Sequence, residues 1–205
     1  MSANPQYEKR LVVAITGASG SIYAVRFLEA VLEQYDRIYL TVTENAVSVI
    51  RTELGLDFPT DKMDTQSLLG KYYEKVEVFA PHDLAAPPSS GSVQCEGMVI
   101  IPCSMGTAGR IAAGVSNDLV SRAADVCLKE RRKLILVIRE TPLSLVHLRN
   151  LTTLAEAGAV ILPAAPAFYN NPKTVDDMVS FVVARTMQQL GLTQILVPEW
   201  EKPEI

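Results

Sequence analysis

At 205 residues, with 48% hydrophobic and 20% charged residues, the chain has the length and composition of one ordinary domain with a full core and a solvated surface, which excludes disorder as the default. A net charge of −4 leaves no broad basic surface for counterion release and argues against a nucleic-acid partner. Cys95, Cys103 and Cys127 form no CxxC pair, and His82 and His147 have no ligand-like spacing, so a structural zinc site is not expected.

The polar stretch Met1 to Arg10 lacks the apolar core of a signal peptide. No later run reaches the ~18 apolar residues of a membrane span, so a cytoplasmic location without a membrane partner is expected. Leu11 to Thr16 reads as a strand, Gly17 to Gly20 as a tight turn and Tyr23 to Leu32 as a helix. A second strand over Arg37 to Val42 and a helix over Glu44 to Leu54 complete a βαβα opening, which favours a parallel, helix-covered sheet. Gly55 to Tyr73 carries only a weak polar signal. Val76 to Phe79 suggests a strand, and the loop Ala80 to Ser92, with Pro81, Pro87, Pro88 and Gly91, is expected to hold no regular structure.

Gly97 to Ile101 reads as a buried strand broken by Pro102, after which Cys103 to Thr107 leads into a small-residue helix ending near Ala113. A helix over Asn117 to Lys129, a central strand over Leu134 to Ile138, a helix over Ser144 to Ala157, a strand over Ala159 to Leu162 and a final helix over Val175 to Leu190 follow.

Several loops carry candidate chemistry. The Gly17-Ala18-Ser19-Gly20 turn puts backbone N–H groups and a hydroxyl at a helix N-terminus, where a phosphate is favoured, although such turns also occur for steric reasons alone. Ala86 to Ser92 is short-chained and hydroxyl-rich, and Pro102 to Thr107 lies at the carboxyl end of a strand, where open α/β sheets bind ligands. Arg139-Glu140 follows the central strand, either as a rim salt bridge or with Arg139 facing an oxyanion. Arg131, Arg132 and Lys133 are read as a solvated cap on a helix C-terminus. Cys103 and Cys127 read as buried small hydrophobes and His147 as a satisfied interior or interface residue. The rigid loop Pro163 to Pro172, bearing Phe168 and Tyr169, suits a pocket lid or an oligomer contact.

Taken together, Thr16-Gly17-Ala18-Ser19-Gly20, Ala86 to Ser92, Pro102-Cys103-Ser104-Met105-Gly106-Thr107, Arg122 to Val126, Leu128 to Arg132, Arg139-Glu140-Thr141-Pro142 and Pro163 to Tyr169 resemble the UbiX flavin prenyltransferases in order and spacing, from Arg10 to Trp200. The resemblance implies an α/β, three-layer Rossmann/flavodoxin-like fold around a central, mainly parallel sheet. It also implies one flavin prenyltransferase domain over 1–205, with 1–9 and 201–205 as flexible arms, and a dodecamer with FMN between subunits. By the same resemblance Gly17, Ala18, Ser19, Thr43, Ser104, Met105, Gly106, Thr107 and Arg139 contact FMN, while Ser90, Arg122, Lys129, Tyr169 and Arg185 bind dimethylallyl monophosphate. Glu140 is implied as acid and base near the phosphate, with Ser19 and Glu53 handling protons around flavin N5.

The implied reaction breaks the allylic C–O bond, joins C1′ to N5 and closes a fourth ring onto C6, and the prenylated FMN serves a UbiD-type decarboxylase. No metal is expected, because the only adjacent acidic pair, Asp176-Asp177, begins a helix. Leu84 stands where some relatives carry Trp, so an aromatic face for an allylic cation is missing there. The alternatives are a flavin carrier and a flavoprotein decarboxylase, but Val25 to Leu54 lacks the His that cysteine decarboxylases of related fold carry near the first helix.

Overall fold

The computed structural model describes residues 8–56 and 64–199. The stretches 1–9 and 201–205, expected as arms, lie outside the described residues except for Glu8 and Lys9. Glu8 accepts from Arg10 and Arg37, and the Lys9 N–H donates to Asp36.

Six strands form one parallel sheet: β1 (Arg10–Ile15), β2 (Arg37–Val42), β3 (Val76–Phe79), β4 (Gly97–Cys103), β5 (Lys133–Ile138) and β6 (Val160–Pro163), in the order β3-β2-β1-β4-β5-β6. Strand side chains alternate between faces, and both faces are covered, so the strands are nearly continuous apolar runs. Leu11, Val13, Ile15, Leu40 and Val42 pack against α1 (Ser21–Val31), α2 (Glu44–Leu54), α3 (Thr65–Leu69) and α7 (Val175–Leu190). Val12, Ala14, Met98, Ile100, Leu134 and Leu136 face the opposite layer of α4 (Met105–Ala112), α5 (Leu119–Lys129) and α6 (Leu145–Glu156). The expected three-layer α/β architecture is therefore present.

Three local expectations are corrected. Pro102 does not break β4, which continues to Cys103; the missing proline N–H falls within the register irregularity between Ile100 and Cys103, where no ladder bond is lost. Within the weak stretch after Gly55 lies α3, five residues capped by the Asp64 side chain on the Ser67 N–H. It is too short to show a helical period. The Pro-rich loop holds a 3-10 turn over Pro87–Ser89, since proline at the first positions of a helical turn gives up N–H groups that would be unpaired anyway.

Side-chain caps set most helix starts. Thr43, Ser104, Asp118, Ser144 and Thr174 each accept from a backbone N–H in the first turn of α2, α4, α5, α6 and α7. His147 completes the cap of α6, its Nδ1 accepting from the Ser144 N–H, and is half-buried. All three cysteines are buried, and burial pushes the Cys103 and Cys127 thiols up to about 12, so neither is a thiolate nucleophile.

Candidate functional site

After β1 the chain turns toward β2 and β3, and after β4 toward β5 and β6, so the loops leaving β1 and β4 part company. In open α/β sheets that reversal opens a crevice outside the carboxyl ends of the strands. Here it has a volume of about 370 Å³ and is lined by Gly17, Thr43, Asn45, Ser104, Thr107 and Arg110, among others. Its two edges are tied by Thr16, whose Oγ1 donates to the Pro102 carbonyl at 2.8 Å and accepts from the Ser104 N–H at 2.8 Å. The caps Thr43 and Ser104 bring the N-termini of α2 and α4 to this crevice.

Gly20 caps α1 with φ 110°, a left-handed conformation that suits glycine, and its N–H donates at 3.0 Å to the Glu53 carboxylate. The Ser21 N–H donates to the same group at 2.8 Å. The anion at the α1 N-terminus is thus the protein's own, and these two donors are already committed. Burial raises the Glu53 pKa, but hydrogen bonds from the Ser19 side chain and from Ser21 and Gly20 outweigh it, so the net shift is downward.

Because its folded pKa is depressed, the stabilisation supplied by ionised Glu53 is present above its ordinary value of 4.5 and is lost as pH falls through the folded value. Glu53→Gln keeps an acceptor but no charge. Its thermal midpoint is expected to lie below that of the parent chain by a constant amount above a pH of about 5, the gap closing in more acid solution. A gap that ignores pH contradicts the ionic anchor.

Arg139 donates through Nε to the Ser19 carbonyl at 3.2 Å, so it braces the turn from β5 and does not pair with Glu140 among the described residues. Glu140 is exposed on the same rim, its Oε1 accepting from the Thr141 N–H at 3.2 Å. The side chain of Met105 is buried in the core, whereas a side chain at Gly106 would meet open space.

Ser90, Arg122 and Lys129 gather elsewhere, along α5. Arg122 Nε donates to the Ser89 carbonyl at 3.0 Å, Ser90 Oγ lies 2.9 Å from Ser92 Oγ, and Lys129 pairs with Glu130. Arg132 is no solvated cap: its Nη1 and Nη2 donate to the carbonyls of Val93 at 2.7 Å and Gly91 at 2.6 Å, clamping the serine loop to the end of α5. Lys133 donates to the Gln189 carbonyl at the end of α7. A third group lies at the β6 edge, where Tyr169, 53% exposed, meets Phe181 edge-on at 5.9 Å. Arg185 bonds Gln188 at 2.6 Å beside a hollow of about 270 Å³ against β6. The crevice and the α5 group meet at Asp118, which accepts from Arg110 Nη2 at 3.1 Å and from the Arg122 N–H at 2.9 Å.

Sequence reading missed Asn45 and Arg110, and took Arg132 for a solvated cap. Arg110 follows Thr107 by three residues on α4, a spacing that puts both on one helix face, but its partner Asp118 is brought in by the fold.

The Flavoprotein family model matches residues 2–187. The chain is 43% identical over 196 residues to the flavin prenyltransferase UbiX of Pseudomonas aeruginosa, covering 94% of each chain. It superposes on a crystal structure of AnUbiX in complex with FMN and dimethylallyl pyrophosphate with a TM-score of 0.85 at 39% identity, over 97% of this chain and 100% of that one. A dodecameric FMN-dependent UbiX-like decarboxylase from Escherichia coli matches with a TM-score of 0.83 at 41% identity, over 94% of this chain and 100% of that one. With likeness at this level across almost all of each chain, the chain belongs to the UbiX flavin prenyltransferase family.

Proposed function

We propose that the protein, as one domain, joins the dimethylallyl group of dimethylallyl monophosphate to N5 and C6 of reduced FMN, giving prenylated FMN for a UbiD-type decarboxylase. The observation that carries this reading is the 39% identity, over 97% of the chain, to a structure holding FMN and a dimethylallyl ester. The crevice fits a flavin nucleotide. Its volume of about 370 Å³ lies in the range of small-molecule sites, and Thr43, Asn45, Ser104, Thr107 and Arg110 line it with hydrogen-bonding groups.

Reduced FMN, when bound, supplies the nucleophilic N5 and the ring carbon C6 that accept the prenyl group. Gly17, Ala18, Ser19, Thr43, Ser104 to Thr107 and Arg139 hold it on the rim. The barrier is charge separation between an allylic cation and a departing phosphate, so fixed donors around the phosphate supply the stabilisation, in the roles we assign to Ser90, Arg122, Lys129, Tyr169 and Arg185. Glu140 passes a proton to the leaving phosphate, and no metal takes part. Glu53, ionised and hydrogen-bonded by Ser19, receives a proton relayed through that hydroxyl. In keeping with the dodecameric UbiX-like structure that the chain resembles, the site is completed between copies of a homo-oligomer, a dodecamer in our reading, in the cytoplasm. Neither nucleic acid nor membrane is a partner.

Anaerobic incubation with reduced FMN and dimethylallyl monophosphate is expected to release one inorganic phosphate per flavin consumed, and none when FMN is omitted. Release that ignores FMN contradicts prenyl transfer; a preference for the diphosphate ester contradicts the assigned donor. Arg132→Met is expected to raise KM for dimethylallyl monophosphate about tenfold, since two charge-assisted bonds to the serine loop disappear, while FMN affinity stays unchanged. Equal losses in both, with a lowered thermal midpoint, indicate a merely structural clamp.

A further inference from the structure

Arg110 is a half-buried cation in the wall of the switch-point crevice, six residues into α4. Its Nη2 is committed, donating to Asp118 Oδ2 at 3.1 Å and to Thr107 Oγ1 at 3.4 Å. The guanidinium is planar, so these two bonds fix its orientation. Nε is buried without a partner, and no hydrogen bond among the described residues uses Nη1. Nε has almost no accessible surface, so Nη1 is the donor of the guanidinium left for a ligand in the crevice that Arg110 lines. Asp118 is simultaneously held by its own helix, its Oδ1 accepting from the Ser121 N–H at 2.7 Å, which makes it a rigid strut for Arg110.

The surrounding polar groups narrow the ligand. Thr43 and Ser104 bring two helix N-termini to the crevice, and Asn45 and Asn117 add amides to its wall. Glu44 and Asp118 also line it, so its total charge does not favour an anion, and any preference for one must come from the directed N–H groups of Arg110.

Building on the FMN reading above, we propose that Arg110 binds the 5′-phosphate of the flavin nucleotide and is the residue by which the crevice selects FMN over riboflavin. Without Arg110, the Glu44 and Asp118 carboxylates stand unbalanced and repel a phosphate dianion, whereas riboflavin, being neutral, is indifferent to the change.

The test is a titration of the assembled protein with FMN and with riboflavin, followed by quenching of flavin fluorescence, for the parent chain, Arg110→Met and Arg110→Lys. Arg110→Met is expected to weaken FMN binding by about 10–100-fold and to leave riboflavin within about twofold, and Arg110→Lys to recover part of the FMN loss. Equal losses for the two flavins, or an unchanged FMN affinity, overturn the assignment and leave Arg110 as a strut between α4 and α5. If Arg110→Met does not fold, as judged by its thermal midpoint, Arg110→Lys decides alone: an unchanged FMN-to-riboflavin affinity ratio overturns the proposal, and a lowered ratio supports it. A parent chain that binds neither flavin overturns the FMN reading itself.

Discussion

Glu140→Gln is expected to lower turnover by about 10²–10⁴-fold while FMN still binds, the range for loss of a positioned acid and base. The expectation follows from where the fold places the residue. β5 is buried from Leu134 to Ile138, Arg139 reaches back to the Ser19 carbonyl, and Glu140 is therefore held exposed on the same rim as the glycine turn. Gln has the same shape and can still accept from the Thr141 N–H, so the loop stays in place, but it has no proton to give a departing phosphate. Single-turnover prenylation under anaerobic conditions measures the chemical step, and flavin fluorescence measures binding. Unchanged turnover with normal binding contradicts the assigned role.

Gly97→Ala is expected to destabilise the fold by about 2–3 kcal/mol through overpacking at the centre of the sheet. Gly97 pairs with Leu11 of β1 on one side and Lys133 of β5 on the other. A Cβ there would lie 2.7 Å from the Lys133 carbonyl oxygen and 3.0 Å from the Lys133 Cβ, so backbone rather than a flexible side-chain tip has to move. For a chain of this length the thermal midpoint should fall by about 5–10 °C, compared at equal protein concentration because assembly adds to apparent stability. An unchanged midpoint means that β4 and β5 separate without loss.

The sheet was legible in the sequence because each strand is an apolar run bounded by polar turns, and burial on both faces writes that pattern strongly from Leu11 to Ile15 and from Leu134 to Ile138. The helix α3 was not, since five residues hold little more than one turn. Pro102 misled because proline ordinarily removes a ladder bond, whereas here the ladder is already irregular. In the crevice, the glycine turn was recognisable as a helix entry, but its anion, Glu53, lies 33 residues away and reaches it only once α2 has packed. Arg110 and Arg132 were hidden for the same reason: a guanidinium in the sequence looks alike whether it faces water, a carbonyl or a ligand. Leu84, 48% exposed, offers no aromatic face in its loop, in keeping with its identity. The substrates came from the family resemblance alone, since a crevice rich in donors names a class of ligand and not a prenyl ester.

The most direct measurement is anaerobic incubation of the protein with reduced FMN and dimethylallyl monophosphate, followed by mass spectrometry of the released flavin. A gain of one C5H8 unit on FMN is the predicted result. Flavin recovered at its original mass, under conditions where binding is confirmed by its spectrum, would contradict prenyl transfer.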